Sequence, residues 1–172
     1  MALRQTIYIL VIASALGLGL NLVSPNRVDF VGNWRDLHDG DGPILLPDVE
    51  PGDAPFIAVD VAQLDFNARA ALFVDARDPE EFECGTIRGA INIPFEYLPE
   101  GDLGPYFDSV LSHLSKDERI IIFCSGEECD VSLHLARNLQ ALGYTDLAIF
   151  FGGSREWERF HLPIERRRQC DE

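Results

Sequence analysis

The hydrophobic pattern after residue 55 alternates between short apolar runs and helical spacing. Three strong runs, Ala71–Val74, Ile120–Phe123 and Leu147–Phe151, predict strands buried on both faces, and Ile57–Val59 and Ile91–Pro94 predict shorter strands. Before the last strong run, apolar residues recur at the spacing of one helix face: Val131, Leu135, Leu139 and Leu142. Strands that alternate with helices predict an α/β domain with a central parallel sheet and helices on both faces.

The N-terminal segment has a different composition. Residues 5–26 form a run of 22 positions without a charge, most of them apolar. A membrane-spanning helix needs about 20 such residues, so residues 5–24 are predicted to form a single-pass membrane anchor. The alternative is a signal peptide cleaved near Ala13–Ala15, followed by secretion, but the apolar run continues to Val23. Arg4 favours an inside N-terminus, which predicts a periplasmic or otherwise extracytoplasmic domain.

Composition divides the chain into four parts. Residues 1–26 are the anchor or signal segment, and residues 27–54, rich in Asp, Gly and Pro, form a linker. Residues 55–166 form the domain, and residues 167–172 form a tail. The net charge of −15 repels phosphates, so nucleic acid is not an expected partner. The four cysteines are too few and too scattered for a small disulfide-stapled fold, and they do not indicate the redox compartment.

The clearest candidate for chemistry is Cys124, which directly follows the apolar run Ile120–Phe123. In parallel sheets, ligands bind beyond the carboxyl ends of the strands. A loop between such a strand and a helix N-terminus directs backbone N–H groups inward, and these groups stabilise a nucleophilic thiolate. An inert buried cysteine is the alternative, but a glycine-containing polar loop is a poor match to it. The candidate substrate-binding loop comprises Ser125, Gly126, Glu127, Glu128, Cys129 and Asp130.

Three ordered segments resemble the motifs of rhodanese-type sulfurtransferases: DARDPEEFECGTIRGAINIP, RIIIFCSGEEC and GYTDLAIFFGGSREWERFHLPIE. The resemblance implies a rhodanese-like α/β fold without a cofactor. It also implies a persulfide on Cys124, which accepts sulfane sulfur from a donor and passes it to a thiophilic acceptor. Asp75 and Arg77 match the family's Asp-x-Arg motif, where Arg77 is expected to orient the loop or to pair with Asp75 or Glu81. The other matching residues are Phe82, Gly85, Ile87, Gly89, Ala90, Asn92, Ile93, Pro94, Gly152, Gly153, Trp157, Leu162 and Pro163.

The sequence departs from the family in two places. Thr86 stands where the family has His, and the loop carries Glu127, Glu128 and Asp130 but no basic residue. If these carboxylates point inward, they repel thiosulfate and favour a persulfide or polysulfide donor. If they point outward, they are a solvated rim.

Other roles for these residues fit the sequence less well. Cys129 is a candidate redox partner of Cys124, or only a small residue at a helix start. No metal site is predicted, because Cys124, Cys129 and His134 lack a fourth ligand and the usual spacing. A phosphatase of related fold needs an Arg at the end of the loop, where Asp130 stands. A catalytically weak module that docks a redox or membrane partner remains the alternative to a sulfurtransferase.

Overall fold

The structure, a computed structural model, describes residues 5–6, 49–126 and 130–170. The chain divides into two units, residues 1–43 and 44–172. In the first unit, Gln5 and Thr6 are helical and exposed. The rest of the predicted membrane segment, residues 7–24, lies outside the described residues. Within the described ranges, no helix is long and apolar enough to cross a membrane.

A five-stranded parallel sheet forms the centre of the second unit. Its strands, in spatial order, are β1 (Phe56–Ile57), β6 (Leu147–Phe150), β5 (Ile120–Phe123), β2 (Leu72–Asp75) and β4 (Ile91–Asn92). All four residues of β5 are buried, because β2 and β6 pair with it in parallel on its two sides. The predicted parallel sheet is therefore confirmed, and the apolar runs 71–74, 120–123 and 147–151 each fall on one of its strands.

Helices cover both faces of this sheet, as predicted. They are α1 (Val59–Ala68), α2 (Pro79–Cys84), α3 (Gly104–Val110), α4 (Val131–Ala141) and α5 (Gly153–Arg159). Side chains alternate across a strand, so β5 contributes to two hydrophobic layers. Ile120 and Ile122 pack in the layer that contains Leu135 of α4, whereas the other layer joins Ile121 and Phe123 to Trp157 of α5.

The end of the predicted linker is attached to α4. Asp53 accepts hydrogen bonds from Nε and Nη2 of Arg137, both at 2.8 Å. The hydrogen bonds from Arg137 lower the pKa of Asp53 to about 2. Residues just before β1 are therefore held against the domain by a pair that is charged at neutral pH.

The C-terminal segment is also attached to the domain. A second, antiparallel pair of strands joins β3 (Thr86–Ile87) to β7 (Ile164–Glu165). After β7, the backbone N–H groups of Arg167 and Arg168 donate to the carbonyl oxygen of Glu83 at 2.9 and 3.0 Å. Residues of the predicted tail thus contact the last turn of α2.

A disulfide bond between Cys84 and Cys170 cross-links α2 to the same C-terminal segment. Their Cα atoms are 5.5 Å apart, although 86 positions separate them along the chain. Cys84 is the last residue of α2, so the disulfide links that helix end to the C-terminal segment. No partner for Cys84 was predicted from the sequence, because spacing alone does not show which distant residues meet.

Replacing Cys84 and Cys170 together by Ser should lower thermal stability. The cross-link restricts the unfolded chain, and for a loop of this length that restriction is worth on the order of 4 kcal/mol. We expect the melting temperature to fall by roughly 10 °C or more. Calorimetry measures this loss, and the reduced parent protein should melt like the double variant. Equal melting temperatures for the oxidised and reduced parent would contradict a stabilising disulfide.

Candidate active site

Cys124 lies at the carboxyl end of the central strand β5, as the sequence predicts. Its side chain is a thiol and only 2% of the residue is exposed. The Sγ atom lies 3.6 Å from Oγ of Ser132 and 3.7 Å from the carbonyl oxygen of Gly126. Ser132 is the second residue of α4, so the sulfur lies beside the N-terminus of an 11-residue helix. Helix dipoles favour an anion at this position, which suits a thiolate.

The start of the loop is held by the turn between β6 and α5. The carbonyl oxygens of Cys124 and Ser125 accept backbone hydrogen bonds from Ser154 (2.8 Å) and Arg155 (3.2 Å). Gly153 has φ +58°, and a Cβ atom there would collide with the carbonyl oxygen of Cys124 and lie 2.7 Å from the Gly126 nitrogen. Glycine is therefore required at residue 153 for this close approach.

The second half of the loop is described only in part. Glu127, Glu128 and Cys129 lie outside the described residues, so the direction of the two glutamates and the redox role of Cys129 stay predictions. The Asp130 side chain is 65% exposed, and its Oδ2 lies 3.5 Å from Nε2 of His134. Asp130 therefore belongs to a solvated rim, as one of the two interpretations of the loop acids expects.

Asp75 and Arg77 form an ion pair, which is one of the alternatives that the sequence left open for Arg77. Asp75 ends β2 and is fully buried; its Oδ1 and Oδ2 accept from Nε (2.9 Å) and Nη2 (2.6 Å) of Arg77. Oδ2 also accepts from the hydroxyl of Thr86 at 2.7 Å. Thr86 thus gives the buried carboxylate a donor from the position where the family has His. A buried charge needs such partners, since an uncompensated one is strongly destabilising.

The Arg77 cation acts on the site as well as on Asp75. Burial alone would lower the pKa of Arg77, but the hydrogen bond and charge of Asp75, with the charges of Glu81 and Cys124, raise it overall. Its Nη1 lies 3.8 Å from Oε1 of Glu81, which in turn accepts from the hydroxyl of Ser125 at 3.3 Å. The interaction with Cys124 is reciprocal, so a fixed cation at Arg77 favours the thiolate.

Several residues that contact the site were not among the predicted site residues. Ser132, Thr86 and Gly153 each touch the loop or the buried ion pair, and the Gly85 carbonyl accepts from Nη2 of Arg77 at 2.6 Å. Thr86, Gly85 and Gly153 lie in the motifs that carried the resemblance, so the motifs could have indicated them. The only indication for Ser132 was a hydroxyl at the start of the helix that follows the loop.

The match to known proteins defines the class of this chain. A rhodanese-like domain model matches residues 58–160, and the chain belongs to the rhodanese-like domain family.

Curated relatives include both plant and human proteins. Rhodanese-like domain-containing protein 15, chloroplastic, of Arabidopsis thaliana is 33% identical over 96 residues, covering 54% of this chain and 52% of that protein. The thiosulfate:glutathione sulfurtransferase of Homo sapiens is 37% identical over 97 residues, covering 53% of this chain and 81% of that protein. The chain thus spans about half the length of the first of these relatives.

A solved structure shows the same fold. The human single-domain sulfurtransferase aligns with a TM-score of 0.51 and 26% sequence identity, covering 62% of this chain and 96% of that one. The α/β architecture with a parallel sheet is therefore shared with a sulfurtransferase.

Replacing Arg77 by Gln should make Cys124 less reactive at neutral pH. Loss of the cation disfavours the thiolate, and a shift of one pH unit in the alkylation profile means about a tenfold slower reaction well below its midpoint. Iodoacetamide labelling of Cys124 across pH, followed by mass spectrometry, measures the profile. Arg77→Lys keeps the charge and should remain closer to the parent, with circular dichroism checking the fold of both variants. An unchanged midpoint in a folded Arg77→Gln protein would contradict this role.

Proposed function

We propose that this protein is a sulfurtransferase that moves sulfane sulfur through a persulfide on Cys124. The observation that carries the proposal is a buried thiol at the carboxyl end of β5, beside the N-terminus of α4 and in charge interaction with the Arg77 cation. Both groups stabilise negative charge, which a nucleophilic sulfur requires in its reactive form. The named activity of the human relative supports the same class of reaction.

The proposed cycle has two displacements at sulfur. The Cys124 thiolate attacks the outer sulfur of a sulfane donor; a new S–S bond forms while the donor's own S–S bond breaks, and the donor leaves with that electron pair. A thiophilic acceptor then attacks the outer sulfur of the Cys124 persulfide. The acceptor–sulfur bond forms, the persulfide bond breaks, and the Cys124 thiolate is regenerated. No net oxidation of the protein occurs in either step.

The charge around the loop supports a choice among donors. A cleft of about 570 Å³ is lined by four carboxylates, Asp78, Glu80, Glu81 and Glu158, and by two arginines, Arg77 and Arg166. Glu81 connects this cleft to the loop, because it accepts from the Ser125 hydroxyl. Glu127 and Glu128 add acidic residues to the adjacent sequence. A thiosulfate dianion is repelled by such surroundings, so the proposed donor is a persulfide or polysulfide in preference to free thiosulfate.

A catalytically weak module that docks a partner remains the second candidate. The observation that favours it is the low exposure of Cys124, 2%, which limits the access of a free small molecule to the sulfur. In that case a partner protein would use the acidic surroundings of the loop as a recognition surface. Turnover with a small donor separates the two candidates.

We also propose that the domain is extracytoplasmic and anchored through residues 5–24. The uncharged run supports the anchor, and the Cys84–Cys170 disulfide supports an oxidising compartment, because cytosolic reductants keep most thiols reduced. We expect the full-length chain to stay in carbonate-washed membranes and its disulfide to be present in cells trapped with an alkylating agent. Release of an intact chain by carbonate, or fully reduced Cys84 and Cys170, would contradict this location.

Replacing Cys124 by Ser should abolish sulfur transfer. A serine hydroxyl cannot form the persulfide, so transfer to cyanide from a persulfide or polysulfide donor should fall to the uncatalysed background. Cys129→Ser is the matched control and tests whether the neighbouring thiol takes part. Undiminished turnover in the Cys124→Ser protein would refute the assignment, and equal loss in both variants would give Cys129 a share in the chemistry.

A further inference from the structure

The Cys84–Cys170 disulfide lies where a reductant can reach it. Cys170 is exposed and Cys84 is half-buried, and both line the cleft that Arg77 and Glu81 also line. Thiol–disulfide exchange depends on access to a sulfur atom, and this disulfide meets that requirement. The disulfide therefore lines the same cleft as Arg77 and Glu81, which contact the active site.

The backbone connects the disulfide directly to Arg77. Gly85 follows Cys84, and its carbonyl oxygen accepts from Nη2 of Arg77 at 2.6 Å. Gly85 is itself buried between two elements, because a Cβ atom there would lie 3.3 Å from Oε1 of Glu158 in α5 and 3.7 Å from Nε of Arg166 in the C-terminal segment. The C-terminal segment therefore packs directly against the residue whose carbonyl binds Arg77.

Helix α2 gives a second connection to the active site. Glu81 lies three residues before Cys84 and accepts from the hydroxyl of Ser125, next to Cys124. A helix of six residues is not stable by itself, so α2 depends on its tertiary contacts. At its last turn these contacts are the disulfide, the two N–H groups donated to the Glu83 carbonyl, and the Arg167 guanidinium 4.5 Å from the centre of the Phe82 ring.

We propose that Cys84–Cys170 is a redox-modification site that sets the reactivity of Cys124. In the oxidised protein the C-terminal segment holds the end of α2, so the Gly85 carbonyl and Glu81 keep Arg77 and Ser125 in place. Reduction releases the segment, and Arg77 keeps Asp75 as its partner but loses the fixed position of one acceptor, the Gly85 carbonyl, while Glu81 loses its fixed position beside Ser125. Cys124 then reacts more slowly. The proposal rests on the proposed function only in taking sulfur transfer as the reaction that is regulated; the change in Cys124 reactivity does not depend on it.

The reductant is a dithiol, and the exchange is balanced. One thiolate of the dithiol attacks the sulfur of Cys170, the exposed residue of the pair; the Cys84–Cys170 bond breaks, and Cys84 leaves as a thiolate that takes up a proton. The second thiolate of the dithiol then displaces Cys170, which also takes up a proton. Two electrons and two protons reach the protein, and the dithiol leaves as an internal disulfide.

Alkylation of Cys124 in the oxidised and the open protein tests this coupling. Both proteins carry Cys129→Ser to remove the neighbouring thiol, and the open protein also carries Cys84→Ser and Cys170→Ser. The rate of iodoacetamide labelling at Cys124, followed by mass spectrometry across pH, should show a midpoint shifted upward in the open protein. We expect roughly a three- to tenfold slower reaction at pH values below the midpoint. Equal rates and midpoints would overturn the proposal.

Two further measurements separate coupling from a general loss of stability. Arg119→Gln removes ion pairs with Asp65 and Asp146, which are not part of the site, and should leave the Cys124 profile unchanged. If it shifts the profile as much as the open protein does, the proposal fails. In the Cys129→Ser protein with intact Cys84 and Cys170, labelling of Cys124 should become slower after treatment with dithiothreitol and recover on reoxidation. This measurement remains informative even if the triple variant does not fold. Persulfide formation on Cys124 is measured separately. Its absence would refute the proposed function, whereas a reversible change in Cys124 labelling would still support the coupling.

Discussion

The buried carboxylate of Asp75 is the constraint on which the site depends. It ends the strand next to β5, has no contact with solvent, and must be compensated by donors from other elements. Arg77 supplies three hydrogen bonds, two from its guanidinium and one from its backbone N–H, and the Thr86 hydroxyl supplies a fourth. Meeting this requirement places a permanent cation at the carboxyl edge of the sheet, where Cys124 also lies. A need of folding thereby creates part of the electrostatic environment that favours a thiolate.

The same pair organises the polypeptide around the site. Arg77 reaches the Gly85 carbonyl after α2, and Asn92 at the end of β4 donates to the backbone carbonyls of Asp75 and Arg77 at 3.0 and 2.9 Å. Gly153 lets the turn after β6 approach the backbone of Cys124. The turns after β2 and β6 thus lie at the same edge of the sheet as Cys124, which agrees with the general location of ligand sites in parallel α/β proteins.

Much of this arrangement could be predicted because local pattern and burial point the same way. The run Ile120–Phe123 coincides with β5, and the helical spacing from Val131 coincides with α4 apart from Leu142, which caps its end. The ordered motifs indicated the family that the match of residues 58–160 shows. The contacts that tertiary structure alone creates were not predictable. Cys84 and Cys170 meet across 86 positions, and the Ser132 hydroxyl reaches the sulfur only because α4 starts beside it.

The central claim is that Cys124 carries the transferred sulfur, and mass spectrometry tests it most directly. The oxidised protein is mixed with a persulfide or polysulfide donor in the absence of an acceptor, desalted and digested without reduction. The account predicts a mass increase of one sulfur atom on Cys124, its loss when a thiophilic acceptor is added, and no such increase in the Cys124→Ser protein. An unmodified Cys124, or sulfur found on another residue while Cys124 stays unchanged, would contradict the account.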